Sequence, residues 1–144
     1  PQWLEPAVAV PEDGKSFRLI GGKQAIHTHT QTANSEPLMA ITKQYGLERV
    51  WMNAQRAKEL GISDGDTVEV SNEQHTGKVQ VKVTQRINPD ALYMPSHYGC
   101  SSKEEKTAYG VGLRQMDYVP FRIEPGYGGI CSQEAVVTVK KVGA

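Results

Sequence analysis

The sequence lacks most of the features by which chains are quickly sorted. Neither sign of charge dominates: sixteen Lys and Arg face sixteen Asp and Glu, for a formal net charge of +0. No basic cluster runs longer than Lys140-Lys141. A nucleic-acid binder needs a concentrated positive surface, so that class is excluded. Apolar runs last only a few residues, far short of a membrane-spanning helix, and the chain reads as soluble. Cysteine is scarce. Cys100 and Cys131 stand 31 positions apart in number with no Cys-x-x-Cys spacing. Whether they pair depends on the fold bringing them within disulfide reach, so the redox compartment stays open. There is no initiator Met and no leader in Pro1-Gln2-Trp3-Leu4-Glu5-Pro6. A start at Pro1 is what an excised domain or a processed product would show, with targeting information upstream.

Catalytic signatures are missing as well. Nothing resembles Gly-x-Ser-x-Gly or a reactive-cysteine motif. Gly110-Val111-Gly112 lacks the third glycine and the strand-to-helix setting of a dinucleotide fingerprint. Asp64 and Asp66 flank Gly65, where turn-forming aspartates are commoner than a catalytic pair.

What is present is a dense polar stretch, Gly21-Gly22-Lys23-Gln24-Ala25-Ile26-His27-Thr28-His29-Thr30-Gln31-Thr32-Ala33-Asn34. Two glycines allow a sharp turn or a close approach of backbone to ligand, and the following side chains offer ammonium, amide, imidazole and hydroxyl groups. Such a run suits a large polar ligand. Two plainer readings compete: an exposed threonine-rich edge strand, with His27, His29 and Gln31 on one face, and a structural zinc site built on His-x-His. The second lacks ligands, because His75 and His97 stand alone.

At 144 residues the chain fits one domain with one core. Residues 1–16 form a Pro-punctuated lead-in that Trp3 is expected to anchor. Alternation and β-branched residues place strands at 16–20, 49–53, 67–71, 78–84, 91–95 and 135–139. Ala54–Leu60 reads as a two-turn helix with Asn53 as N-cap and Gly61 as its stop. The apolar piece from Leu38 to Leu47 fits no single class. Short strands at even spacing with little helix indicate a small, mostly antiparallel β-barrel. Residues 100–131 lack periodicity and form a long loop, expected to be loose in the isolated domain. Its aromatics Tyr109, Tyr118, Phe121 and Tyr127 are expected to pack on a surface supplied by something else. A second polar cluster, Ser96-His97-Tyr98-Gly99, sits where a strand leaves the barrel. Two such clusters at strand ends suit a binding module.

The order of these residues resembles one family. The glycine pair with His27-Thr28-His29-Thr30-Gln31-Thr32-Ala33-Asn34, then Val50-Trp51-Met52-Asn53-Ala54, Leu60-Gly61-Ile62, Asp64-Gly65-Asp66-Thr67-Val68-Glu69-Val70 and Ser96-His97-Tyr98-Gly99 is similar to the C-terminal dinucleotide-binding domain of the dimethyl sulfoxide reductase family of molybdopterin oxidoreductases. The resemblance covers residues 17–99 and, loosely, the closing strand. It implies a six-stranded double-psi β-barrel with one or two short helices and a long C-terminal loop. It also implies that molybdopterin guanine dinucleotide is bound by Lys23, Gln24, His27, Thr28, His29, Thr30 and Gln31, with Ser96, His97, Tyr98 and Gly99 nearby. Gln133, just before the last strand, is the counterpart of a further polar contact in the family.

Within the family, the His-Thr-His-Thr-Gln-Thr run and the ending Val137-Thr138-Val139-Lys140-Lys141 look most like thiosulfate and polysulfide reductase catalytic subunits, with arsenate and tetrathionate reductases close competitors. The expected setting is a larger catalytic subunit whose other domains hold the molybdenum and an iron-sulfur cluster, so neither Cys100 nor Cys131 takes those roles. An iron-sulfur electron-transfer subunit is an expected partner, a periplasmic or membrane-associated complex the expected location, and the chain alone is expected to be inactive. The contrasting expectation is a stand-alone double-psi barrel that binds protein partners.

Overall fold

The structure, a computed structural model, describes residues 3, 5–29 and 31–143. Thr30, one of the expected cofactor residues, lies outside the described residues. The elements are β1 (Ser16–Gly22), α1 (Glu36–Tyr45), β2 (Val50–Asn53), α2 (Ala54–Glu59), β3 (Thr67–Ser71), β4 (Thr76–Thr84), β5 (Ala91–Pro95), a 3₁₀ turn (Gln115–Tyr118) and β6 (Val136–Lys141).

The six strands close into a barrel in the order β1-β5-β2-β4-β3-β6. Closure follows from the two-residue period. Phe17 and Leu19, Val50 and Met52, Val68 and Val70, Val79 and Val81, Leu92 and Met94, and Val137 and Val139 all turn inward and are buried together. Each fully buried side chain of this size contributes about 1.5–3 kcal/mol by leaving water. β1–β5 and β2–β4 pair parallel, whereas β1–β6, β2–β5, β3–β4 and β3–β6 pair antiparallel. This is the double-psi barrel, and no strand edge is left unpaired.

Local chemistry fixes the connections. The Asn53 side chain accepts from the Gln55 N–H at 2.9 Å and donates to the Ile87 carbonyl at 2.8 Å, capping α2 and holding the loop before β5. Asp64 accepts from the Val83 N–H, and Asp66 accepts from the Ser63 N–H and from Lys141 Nζ. Both carboxylates are therefore structural. The segment of open class, Leu38–Leu47, is helical as far as Tyr45: Pro37 enters in the first turn and Gly46, at φ 59°, closes it. Its inward face carries Met39 and Thr42.

Two expectations are corrected. Trp3 does not anchor the lead-in on the barrel: it is 76% exposed and, among the described residues, its indole N–H reaches Glu5. The long loop 100–131 does not leave all its aromatics to a surface supplied by something else. Its first part folds back on the barrel through Gly99 N–H to Val111 C=O and Gly110 N–H to Cys100 C=O, and Tyr118 enters the core outright. The second part is an exposed hairpin. Ile123 bridges Ile130, and the Glu124 carboxylate accepts from the Gly126 and Tyr127 N–H groups. Phe121 and Tyr127 lie open at 84% and 101% exposure. Cys100 and Cys131 are free thiols.

Candidate functional site

The polar stretch is neither an edge strand nor a continuous ribbon. After Gly22 the chain leaves β1 and runs through turns to α1, because Gln24 and His27 turn inward and find partners in the fold. The Gln24 N–H donates to His97 Nε2 at 2.8 Å, and its side-chain amide donates to the Leu47 carbonyl at 2.6 Å. His27 contacts Thr32 Oγ1 through Nδ1 at 3.0 Å and Thr42 Oγ1 through Nε2 at 2.9 Å. Thr42 Oγ1 meets the Tyr98 hydroxyl at 3.1 Å, and Tyr98 donates to Gln24 Oε1 at 3.1 Å. His27, Thr42, His97 and Tyr98 are all buried. A polar cluster this deep persists only when its donors and acceptors are matched.

Burial shifts the titrating groups in a common direction. Desolvation pushes the His27 imidazole below the ordinary histidine value, partly offset by its bond at Thr32. His97 is lowered by desolvation first, then by His27 and Lys23 nearby. The Tyr98 hydroxyl is raised, chiefly by burial. Both shifts favour the neutral imidazole.

Beside this network lies an open cleft of about 370 Å³, lined by Gln31, Ala33, Asn34, Ser96, His97, Tyr98, Gly99, Cys100, Glu105, Ala108 and Arg114. The two polar clusters of the sequence therefore do meet. Gly99 makes the approach possible: at φ +87°, a Cβ there would collide with the backbone of Leu113 and Arg114. Lys23, Thr28 and His29 are exposed on the loop, with Lys23 Nζ 3.4 Å from His29 Nδ1. Gln133 sits across the strand end, where its amide exchanges hydrogen bonds with the N–H and C=O of Gly21 at 3.0 and 3.3 Å. The glycine pair itself faces protein: a Cβ on Gly21 would strike the buried Gln115 side chain, and one on Gly22 the Tyr93 ring.

Of the expected residues, Gln31, Ser96, His97, Tyr98 and Gly99 line the cleft. Gln24 and His27 belong to the network beneath it, and Gln133 to the neighbouring strand end. Arg114 and Asn34 join the cleft without having been singled out for it. Asn34 closes the quoted polar stretch, and Arg114 arrives only because the Gly99–Val111 bond folds the loop back. Thr42 was hidden because its place on the inner face of α1 shows only once that segment is known to be helical. Among the described residues no group of three His, Cys, Asp or Glu is placed to hold a metal ion.

This chain matches the model of the Molydopterin dinucleotide binding domain over residues 17–117. It belongs to that family, the molybdopterin dinucleotide-binding domains. A relative, the thiosulfate reductase molybdopterin-containing subunit PhsA of Salmonella typhimurium, is 27% identical over 111 residues, which cover 77% of this chain and 14% of the relative. Acetylene hydratase from Pelobacter acetylenicus has the same fold in one part, with a TM-score of 0.70 and 12% identity over 88% of this chain and 18% of that one. The chain thus spans under a fifth of the length of each of these two proteins.

The residues present fit such a cofactor. His97 Nε2 is occupied by the Gln24 N–H, and Nδ1 is buried with no hydrogen-bond partner among the described residues. A buried polar atom without a partner, on a residue that lines a cleft, suits a hydrogen-bonding ligand.

Proposed function

We propose that this chain is the molybdopterin guanine dinucleotide-binding domain of a larger molybdenum oxidoreductase subunit that reduces an inorganic sulfur compound such as thiosulfate or polysulfide. One observation carries the reading: the cleft in which Gln31 from the first polar cluster and Ser96, His97 and Gly99 from the second converge beside an unpaired imidazole N–H. The similarity to a thiosulfate reductase subunit supports the substrate class.

The bound group supplies a metal centre that exchanges electrons with the substrate. The chain's own part is to bind and orient. Lys23, exposed at the start of the loop, offers a cation for a pyrophosphate. Thr28, His29 and Gln31 offer hydroxyl, imidazole and amide edges for a planar heterocycle. Asn34 and Arg114 add donors within the cleft, Ser96, whose hydroxyl donates to the Gly22 carbonyl, adds an acceptor, and Gln133 holds the β1 backbone that leads into the loop. The metal and an iron-sulfur cluster are assigned to other domains of the subunit, an iron-sulfur protein to electron delivery, and the assembly to the periplasm or membrane surface. The chain by itself is inactive in this account.

The test is to purify the full-length gene product, identify its pterin and nucleotide by mass spectrometry, and assay oxidation of a reduced dye by thiosulfate, polysulfide, tetrathionate and arsenate. Guanine dinucleotide with turnover on thiosulfate or polysulfide is expected. Absence of a pterin, or turnover confined to arsenate, contradicts the proposal.

A further inference from the structure

With His27 neutral, the buried network permits one arrangement of its protons. The Leu47 carbonyl can only accept, so the Gln24 amide nitrogen faces it and Oε1 faces Tyr98. Tyr98 must then donate to Gln24. Its oxygen is left to accept from Thr42, so Thr42 must donate to Tyr98 and accept from His27 Nε2–H. His27 Nδ1 in turn accepts from the Thr32 hydroxyl, whose oxygen takes the Thr28 backbone N–H at 3.1 Å. Every hydrogen bond points the same way, from Thr28 to Gln24. His97 is fixed from the other side of Gln24: a backbone N–H can only donate, so His97 Nε2 is bare and its single proton sits on Nδ1.

We propose that His27, which lies beneath the cleft, and the hydroxyl of Tyr98 act as positioning groups, locking Gln24 so that its backbone amide holds His97 in the Nδ1–H tautomer and His97 presents a donor to an acceptor atom of the ligand in the cleft. The two histidines, with ring centroids 5.4 Å apart, therefore carry their protons on opposite nitrogens. The site thereby selects at this point for a carbonyl, ring-nitrogen or phosphate oxygen acceptor and rejects a ligand N–H. The neutral state this requires agrees with the downward shift that burial imposes on both rings. The ligand half of the inference rests on the cofactor assignment above; the proton arrangement does not.

Long-range proton–nitrogen spectra of this 144-residue chain at pH 7.5, without cofactor, give the tautomers directly. His27 protonated on Nε2 and His97 on Nδ1 is the expected result; the same tautomer for both, or His97 protonated on Nε2, overturns the scheme. Tyr98→Phe removes the hydroxyl that ties Thr42 to Gln24 while keeping the ring. Its His97 nitrogen signals should move toward the average of the two tautomers, and the full-length subunit should retain about tenfold less cofactor. A variant that melts earlier with His97 signals unmoved shows that Tyr98 only packs, and overturns the positioning role. A wild-type subunit with no pterin removes the cofactor assignment and the ligand half with it, while the tautomer result stands on its own.

Discussion

The backbone N–H of Gln24 donates to Nε2 of His97 across 2.8 Å, joining positions 73 residues apart in sequence. That bond turns two separate polar clusters into one site. It also settles which of their members face the cleft and which hold up its floor.

Gly99 should tolerate no side chain. Its φ of +87° already disfavours any L-residue, and an added Cβ would lie 2.6 Å from the Leu113 carbonyl carbon. Gly61 has a similar φ of +65° with nothing within 4 Å of the added atom. Urea unfolding should therefore show Gly61→Ala costing about 1 kcal/mol and Gly99→Ala clearly more, about 2–4 kcal/mol. Equal costs would mean that the loop yields easily.

Acid should weaken the fold before the carboxylates titrate. The folded-state values of His27 and His97 are both lowered, so the unfolded chain binds more protons as pH falls through the ordinary histidine value of 6.5. Stability is then fully present above that pH and is lost below it, down to the folded values. The slope should reach at most about 1.4 kcal/mol per pH unit for each ring. The lowered carboxylates Asp13, Glu59, Asp66 and Glu124 act only below about pH 5. Urea midpoints from pH 7.5 down to 5 check this, and a flat profile would show that the rings are protonated without penalty.

Two of the tyrosines of the long C-terminal segment, Tyr118 and Tyr127, should behave oppositely. Tyr118 is wholly buried in the barrel core and its hydroxyl points at the Val70 carbonyl, whereas Tyr127 is fully exposed. Tyr118→Ala should cost about 3–5 kcal/mol, and Tyr127→Ala should fall within about 0.5 kcal/mol. Thermal melts of the two variants decide whether the segment is half core and half surface.

The barrel was legible because each strand repeats its inward residue every second position, as in Val68-Glu69-Val70 and Val79-Gln80-Val81, and because Asn53 and Gly61 punctuate α2 by local chemistry. The site was legible as two clusters, but the inner role of His27 and Tyr98 was not. Their partner Thr42 comes from a helix whose apolar face is narrow, and only tertiary closure shows that a histidine in a polar run is a core residue. Tyr118 was hidden for a related reason: no period surrounds it, and its burial depends on the Gly99–Val111 fold-back. Trp3 misled in the opposite direction, since a large apolar side chain in a proline-rich lead-in need not find a surface to cover.

The most direct test of the central claim is a density map of the full-length, cofactor-loaded subunit in the region of this chain. The account predicts a molybdopterin dinucleotide against Gln31, Ser96 and Gly99, with an acceptor atom within about 3.2 Å of His97 Nδ1. A cofactor bound elsewhere, with the cleft filled by protein and His97 Nδ1 facing a protein carbonyl, would contradict it.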